Sequence, residues 1–194
     1  MLIEQLDQSL FLAIGAATRS NMFAIAMLTW VSALGDAGVR LVIVAVVTAL
    51  LLALRRRGDA LFLLAVVLVS ALLCSFLKDL VGRPRPDLLP HLDHVSSASF
   101  PSGHGWNGLA VFGGIGWVIA RGLAAGPRWT VLGGSLLLVL AIGVSRVALG
   151  VHWPSDVIAG WLGGALTLVG LHWLRNSLKR GLTPRNEGDE VPPL

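Results

Sequence analysis

Three stretches of the sequence combine residues that could transfer a phosphoryl group. The first, KDLVGRPRPD, places Lys78 seven residues before Arg85, where an apolar segment ends. Pro84 and Pro86 prevent a helix from continuing and stiffen the backbone that presents the guanidinium. Two cations would then face the same opening at the end of this segment. The alternative is that they only anchor the end of a helix at the membrane surface.

The second stretch, SFPSGHGWN, opens an apolar segment that begins near residue 104. Pro101 can occupy the first helical position, and Gly103 allows the backbone to approach a ligand closely. The free N–H groups and the dipole of a helix start attract anions. The Ser102 hydroxyl can add a hydrogen bond, and His104 can donate a proton near neutral pH. The alternative is an ordinary helix start, where Ser and Pro are common.

The third stretch, SRVALGVHWPSD, is the most specific of the three. Pro154 can open a helix just after His152, which places Asp156 in its first turn. A carboxylate there can bend back toward the preceding chain, as in a capping box, and hold one ring nitrogen of His152. The other nitrogen is then free to attack, and Arg146 lies six residues upstream. The alternative is a capping aspartate beside an interfacial histidine.

Considered together, the three stretches supply three cations, two histidines and a carboxylate. Cations can neutralise the non-bridging oxygens of a phosphate while one histidine attacks and another protonates the leaving oxygen. We therefore predict phosphoryl transfer without a metal or other cofactor. His91, Asp93 and His94 are close in sequence, but they lack the regular spacing of metal ligands.

The composition places these residues in a membrane protein. Of 194 residues, 55% are hydrophobic and only 13% are charged, and the mean hydropathy is +0.76. Five apolar segments are long enough to predict membrane spans, at residues 37–54, 59–80, 104–121, 130–147 and 154–174. Residues 21–35 are apolar but short, so they could cross at a thin point or form a re-entrant element. We predict that they form a sixth span.

The two ends of the chain differ from this membrane core. Residues 1–18 carry Glu4 and Asp7 instead of the positive charge of a signal peptide, so they predict an amphipathic helix at the membrane interface. Residues 181–194 are polar and contain Pro and Gly, which predicts a disordered cytoplasmic tail. Residues 1–180 are expected to form a single membrane phosphatase domain.

Positive residues predict the orientation, because short cytoplasmic loops collect Lys and Arg. If the turn at residues 55–57 is cytoplasmic, alternation of the spans places on the same side Arg19, Arg121, Arg128, Arg175, Lys179, Arg180 and Arg185. The opposite, extracytoplasmic side then carries the three chemical stretches. This topology explains the net charge of +4. No basic stripe interleaved with aromatic residues indicates a nucleic acid partner.

The three stretches resemble the motif set of the type 2 phosphatidic acid phosphatase superfamily. That set reads Lys, six residues, Arg-Pro; then Pro-Ser-Gly-His; then Ser-Arg, five residues, His, three residues, Asp. The matching residues are Lys78, Arg85, Pro86, Pro101, Ser102, Gly103, His104, Ser145, Arg146, His152 and Asp156. Every position matches. Only Arg85 has the motif's spacing from Lys78, so Arg83 is expected to have a secondary role at most.

The resemblance implies a polytopic all-α helical membrane bundle with His152 as nucleophile and Asp156 as the residue that orients it. His104 would act as general acid and then activate water. The implied phosphate-binding residues are Lys78, Arg85, Ser102, Gly103 and Arg146. The loop over residues 87–99 and the segment near Trp30 and Asp36 are expected to shape the mouth of the site.

The function implied by the resemblance is a metal-independent lipid phosphatase or diphosphatase of the plasma (inner) membrane, acting on its extracytoplasmic side. A suitable substrate keeps its tail in the lipid, as do undecaprenyl diphosphate, phosphatidylglycerol phosphate, phosphatidate and phosphorylated lipid A. The hydropathy argues against the superfamily's soluble acid phosphatases and vanadium-dependent haloperoxidases. The sequence leaves the oligomeric state open.

The alternative from another class is a non-catalytic transporter or scaffold that binds anionic lipid. Pure binding needs cations, but it does not need a poised nucleophile and acid. The intact set of His152, Asp156 and His104 therefore favours the enzyme.

Overall fold

Helices account for nearly all regular structure in the computed structural model, which describes residues 2–181. They are α1 (Leu2–Arg19), α2 (Met22–Leu34), α3 (Ala37–Ala53), α4 (Arg57–Val81), α5 (Gly103–Gly108), α6 (Gly114–Ala120), α7 (Ala125–Ala148) and α8 (Pro154–Gly181). A π-helical turn, Leu109–Gly113, joins α5 and α6 into one continuous segment. Because these residues contain no strand, the predicted all-α fold is confirmed. The predicted tail at residues 181–194 lies outside the described residues, apart from Gly181.

The outward faces of the long helices are apolar. Three helices, α4, α7 and α8, are each long and apolar enough to cross a membrane. On α4, Leu61, Leu68 and Leu72 are exposed, while Leu63 and Val66 pack inside the bundle. A helix that is hydrophobic on both its inner and outer faces is typical of a bundle whose solvent is lipid. These features confirm a multi-pass membrane protein.

One end of the bundle is held by a buried carboxylate that contacts three arginines. Asp59, in the first turn of α4, accepts hydrogen bonds from Arg56 at 2.9 Å, from Arg121 at 2.7 Å and from Arg175 at 2.8 Å. These arginines come from the α3–α4 turn, the end of α6 and the last turns of α8. Three of the positive residues that the sequence predicts to be cytoplasmic therefore meet at this end, which we call the arginine end.

The first two helices depart from the predicted topology. They meet at a bend of 115°, and α2 has only 13 residues, a length of about 20 Å against about 30 Å of hydrocarbon. Arg19, the last residue of α1, donates a hydrogen bond to the carbonyl of Pro90 at 2.5 Å. Pro90 lies at the end of the bundle opposite the arginine end. Arg19 therefore does not join the predicted cytoplasmic group. Six spans is an approximate count, because α2 is too short to cross alone.

Glycines of α8 allow α5 to approach it closely. A Cβ atom at Gly163 would overlap the ring of Trp106 on α5, and one at Gly160 would lie 2.7 Å from the carbonyl oxygen of Ser102. The backbone N–H of Ser102 also donates to the carbonyl of Asp156 at 3.0 Å. This close packing, typical of helices in membranes, brings the start of α5 beside the start of α8.

We expect Gly163→Ala to destabilise the fold, because the added methyl group has no space beside the Trp106 ring. Overpacking of this kind costs about 1–3 kcal/mol. Gly170→Ala is the matched control, since a Cβ atom there meets nothing within 4 Å; it should leave stability unchanged or raise it by about 0.5–1 kcal/mol. Thermal unfolding in detergent measures both, and equal midpoints for the two variants would contradict this packing.

Candidate active site

A cavity of about 350 Å³ opens at the end of the bundle opposite the arginine end. Six of the eight predicted site residues line it: Lys78, Arg85, Gly103, His104, Arg146 and His152. They come from the end of α4, the loop that follows it, the start of α5, the end of α7 and the α7–α8 loop. The other two, Asp156 and Ser102, lie directly behind the wall and are fully buried.

His152 lies in the short loop between α7 and α8, with its two ring nitrogens in different surroundings. Nε2 lies 3.4 Å from Nη1 of Arg85 on the cavity side. Nδ1 lies 3.5 Å from Oδ2 of Asp156 and 3.4 Å from the hydroxyl of Ser99. Because the carboxylate is an acceptor, this arrangement places the proton on Nδ1 and leaves the lone pair of Nε2 directed toward the cavity.

Asp156 is held in place by donors from several elements. Its Oδ2 accepts the backbone N–H of Trp153 at 3.0 Å, which is the predicted capping-box contact at the start of α8. Ser99 donates its hydroxyl to the same oxygen at 2.5 Å. Ser99 thus bridges the carboxylate and the imidazole. No sequence pattern points to this serine, since its loop has no periodicity from which an inward orientation could be predicted.

The environment of His152 favours its neutral form. Burial lowers the pKa of His152 to about 4, with Arg85 and Arg146 acting in the same direction and Asp156 opposing them. The imidazole is therefore uncharged near neutral pH, as a nitrogen nucleophile must be.

Backbone carbonyls of the loop after α4 fix two of the cations. Lys78 donates to the carbonyl of Ala98 at 2.5 Å, and Nε of Arg85 donates to the carbonyl of Ser97 at 2.8 Å. Nη1 of Arg85 also reaches the carbonyl of Val151, beside His152, at 2.6 Å. Burial and the neighbouring Arg146 lower the pKa of Arg85 to about 10, so it remains charged at neutral pH.

The third cation, Arg146, already has an anionic partner. Its side chain is buried, and Nη1 forms an ion pair with Asp93 and donates to the hydroxyl of Ser32 at 2.5 Å. Nε of Arg146 is buried with no hydrogen-bond partner among the described residues. Asp93, from the loop over residues 87–99, therefore contacts the guanidinium that the sequence assigns to phosphate.

His104 occupies the first turn of α5 and contacts the α2–α3 turn. Its Nε2 lies 3.1 Å from Oδ1 of Asp36, and the backbone of Gly35 packs directly against the ring. Ser102 is the N-cap of α5, and its hydroxyl accepts the N–H of Gly105 at 3.3 Å. The serine therefore caps the helix and does not line the cavity. At this point of the chain the cavity is lined by Gly103, which has no side chain.

Two further ionic residues, absent from the sequence prediction as site residues, lie behind Asp156: Arg83 contacts its carboxylate, and Asp7 contacts Arg83. Nη1 of Arg83 donates to Oδ1 of Asp156 at 2.6 Å, and Nη2 donates to Asp7 at 2.8 Å. The first Arg-Pro pair of the RPRP sequence was the available signal for Arg83. The signal for Asp7 was an acidic residue within an otherwise apolar helix, four residues before Phe11 on the buried face of α1.

The similarities of this chain to known proteins agree on one family. A family model described as the PAP2 superfamily matches residues 59–180. Phosphatidylglycerophosphatase B of Bacillus subtilis is 32% identical over 157 residues, which cover 79% of this chain and 76% of that protein. Lipid A 1-phosphatase of Rhizobium etli is 34% identical over 51% of this chain and 43% of that protein, so this chain spans less than half of its length.

The fold agrees with these sequence matches. The crystal structure of the transmembrane PAP2 type phosphatidylglycerolphosphate phosphatase from Bacillus subtilis superposes with a TM-score of 0.76 at 30% identity. The superposition covers 91% of this chain and 87% of that one. The matched region contains the motifs whose side chains line the cavity described above. The chain therefore belongs to the PAP2 superfamily, as one of its multi-pass membrane proteins.

Proposed function

We propose that this chain, a PAP2-type phosphatase acting on lipid phosphates, removes the terminal phosphate of its substrate through a phosphohistidine on His152. The observation that carries the proposal is the orientation of that imidazole. Nδ1 faces Asp156 and Ser99, while Nε2 faces a cavity lined by three cations. A site that only bound anionic lipid would have no need of a neutral, oriented imidazole.

In the first half of the proposed reaction, Nε2 of His152 attacks phosphorus and the bond to the lipid oxygen breaks. His104 donates a proton to that oxygen, and Asp156 stabilises the positive charge that develops on the imidazole. In the second half, His104 takes a proton from water, the hydroxide attacks phosphorus, and the N–P bond breaks to release inorganic phosphate. Lys78, Arg85 and Arg146 neutralise the non-bridging oxygens throughout.

A lipid monophosphate fits the cavity better than a diphosphate. Asp36 and Asp93 line the opening together with the three cations, so three positive charges less two negative ones leave one. A phosphate monoester carries a charge of about −1.5 to −2 near pH 7, and a diphosphate group carries more, so the monophosphate would leave less negative charge unneutralised. The similarity to a phosphatidylglycerophosphatase supports phosphatidylglycerol phosphate as the leading substrate. The apolar outer faces of α4, α7 and α8 would keep the lipid tail in the bilayer beside the site.

The extracytoplasmic leaflet is the proposed side of action. The arginine end carries most of the Lys and Arg of the described chain, which the positive-inside rule assigns to the cytoplasm. The cavity lies at the other end, so it would open to the outside of the plasma (inner) membrane. Residues 1–180 would act as one phosphatase domain.

His152→Ala should abolish turnover, because it removes the attacking nitrogen. We expect phosphate release from detergent-solubilised phosphatidylglycerol phosphate, assayed in EDTA, to fall more than about 1000-fold. Rapid quench with labelled substrate should trap a phosphohistidine in the wild type and none in the variant. His172→Gln, a histidine on α8 near the arginine end, is the control and should retain both signals.

A panel of phosphatidate, undecaprenyl diphosphate and phosphorylated lipid A separates the substrate classes. Undiminished release by His152→Ala would eliminate the mechanism. Failure of the wild type on every lipid would favour the non-catalytic binder.

Gly35→Ala should impair catalysis by displacing the proposed general acid. A Cβ atom at this position would overlap the His104 ring and lie 2.7 Å from Ile142. Displacement of a catalytic group by about 1 Å can cost about 100-fold in rate. Gly38→Ala is the matched control, because a Cβ atom there meets nothing within 4 Å. Initial rates of phosphate release compare the two, and equal rates would show that the glycine does not position His104.

The acid limb in the pH dependence of kcat/KM should lie near pH 4 and not near pH 6.5, the ordinary pKa of histidine. The neutral imidazole is the nucleophile, and burial lowers the pKa of His152 to about 4, so protonation removes activity only below that pH. The limb of kcat/KM reports the free enzyme, and a 31P titration of the substrate identifies any limb due to its own ionisation. An acid limb near 6.5 that the substrate does not explain would contradict the assignment.

A further inference from the structure

The N-terminal helix α1 places a buried carboxylate next to the catalytic loop. Asp7 is only 3% exposed. Its Oδ1 accepts the backbone N–H of Ser155 at 2.8 Å, and its Oδ2 accepts the hydroxyl of Ser155 at 2.5 Å. Both oxygens therefore bind the first turn of α8, one residue before the carboxylate that orients His152.

The two faces of α1 are reversed relative to those of a water-exposed helix. The buried face consists of Asp7, Phe11, Gly15 and Thr18, while Leu6 and Leu10 are about half exposed. An outward apolar face indicates contact with lipid. The inward carboxylate then needs a specific partner, because an unpaired charge is costly to bury.

Arg83 is that partner, and it joins Asp7 to Asp156. Its Nη2 lies 2.8 Å from Oδ2 of Asp7, and its Nη1 lies 2.6 Å from Oδ1 of Asp156. The guanidinium also lies over the ring of Trp153, 5.6 Å from the centroid. Since Ser99 and the N–H of Trp153 occupy Oδ2 of Asp156, the bond from Arg83 fixes the remaining oxygen.

We propose that Asp7 is a positioning residue for the reaction, because through Arg83 it sets the orientation and the effective charge of Asp156. This inference rests on the proposed function. A row of ionisable side chains runs from His152 through Asp156 and Arg83 to Asp7. Through this row, α1 contributes a residue to the active site.

Asp7 can influence Asp156 because both carboxylates bind the guanidinium of Arg83. Arg83 divides its charge between two carboxylates, which leaves Asp156 enough negative charge to accept the Nδ1 proton of His152. Without Asp7, Arg83 would act on Asp156 alone and weaken it as an acceptor. Without Arg83, Asp156 would keep its full charge but lose the bond that fixes Oδ1.

Other charged and titratable groups also face His152 and Asp156. They are Lys78 from α4, Arg85 from the following loop, His104 from α5 and Arg146 from α7. They act on His152 from the cavity side, where phosphate would bind. The substitutions at Asp7 and Arg83 leave all of them unchanged, so a shift of the pH profile would report the row behind the imidazole.

A purely structural role for α1 is the competing explanation. Phe11 is fully buried and packs on Trp153, with ring centroids 5.4 Å apart. This contact could dock the helix without any electrostatic effect on the site. Loss of docking alone would lower stability and leave the ionisation of His152 unchanged.

The test compares Asp7→Asn and Arg83→Gln with two controls in the full-length protein. Phe11→Ala weakens docking but keeps the charges, and Asp79→Asn removes an exposed carboxylate from the end of α4. The measurements are kcat, KM, the pH dependence of kcat/KM and thermal unfolding in detergent, with phosphatidylglycerol phosphate as substrate.

We expect Asp7→Asn and Arg83→Gln each to lower kcat by about 10- to 100-fold, by analogy with the loss of a hydrogen-bond partner behind a metal-ligating histidine. KM should stay within about twofold, because the three phosphate-binding cations are untouched. The acid limb of kcat/KM should move to lower pH in Asp7→Asn and to higher pH in Arg83→Gln. Because Asp7 acts through Arg83, the double variant should lose no more than Arg83→Gln.

Both controls should keep the wild-type acid limb, and Phe11→Ala should unfold at a lower temperature. The inference is overturned if kcat of Asp7→Asn stays within twofold of the wild type. It is also overturned if the two acid limbs move in the same direction, or if Asp7→Asn matches Phe11→Ala in every measurement. Wild-type protein that hydrolyses no lipid phosphate would overturn the proposed function as well, whereas an active wild type with an equally active Asp7→Asn overturns this inference alone.

Discussion

The site depends on one fully buried carboxylate, Asp156, at the start of the last helix. A charge in such a position is stable only when its oxygens are hydrogen-bonded. This requirement is met by Arg83, Ser99 and the N–H of Trp153. Arg83 and Ser99 lie near the two ends of the loop between α4 and α5, and Trp153 directly precedes α8. The same bonds hold the carboxylate beside His152. The hydrogen bonds that satisfy the buried charge therefore also orient the proposed nucleophile.

Close helix packing is what brings the separate motifs to this carboxylate. In lipid, small residues allow helices to approach, because there is no hydrophobic effect to press them together. Gly160 and Gly163 of α8 accept the backbone and the indole of α5, and the N–H of Ser102 then reaches the carbonyl of Asp156. A helix start that carries His104 is consequently fixed near a loop that carries His152. The proposed chemistry of the two histidines therefore depends on glycines that contact neither imidazole.

The predictable part of this structure is the part encoded in local pattern. Apolar length and arginine positions predict the helices and the two ends of the bundle, and Pro154 with Asp156 predicts the capping contact that the structure contains. Arg19 and α2 could not be placed, because the direction of a short helix depends on tertiary contacts such as the one between Arg19 and Pro90. The contacts of Ser99 and Asp7 join residues 57 and 148 positions away in the sequence. No local pattern encodes such distances.

Two carboxylates in the proposed phosphate-binding cavity need an explanation, since they would oppose the anion. Three unopposed cations would bind a phosphate group tightly in the ground state, and binding that is equally strong in the ground state and the transition state does not raise kcat. Asp93 on Arg146 makes ground-state binding weaker, because an incoming phosphate must compete for the guanidinium. Asp36, whose Oδ1 lies 3.1 Å from Nε2 of His104, instead holds that ring in place beside the cavity. In the proposed reaction, Asp93 would therefore direct binding energy toward the step in which charge develops, and it would ease the departure of the product.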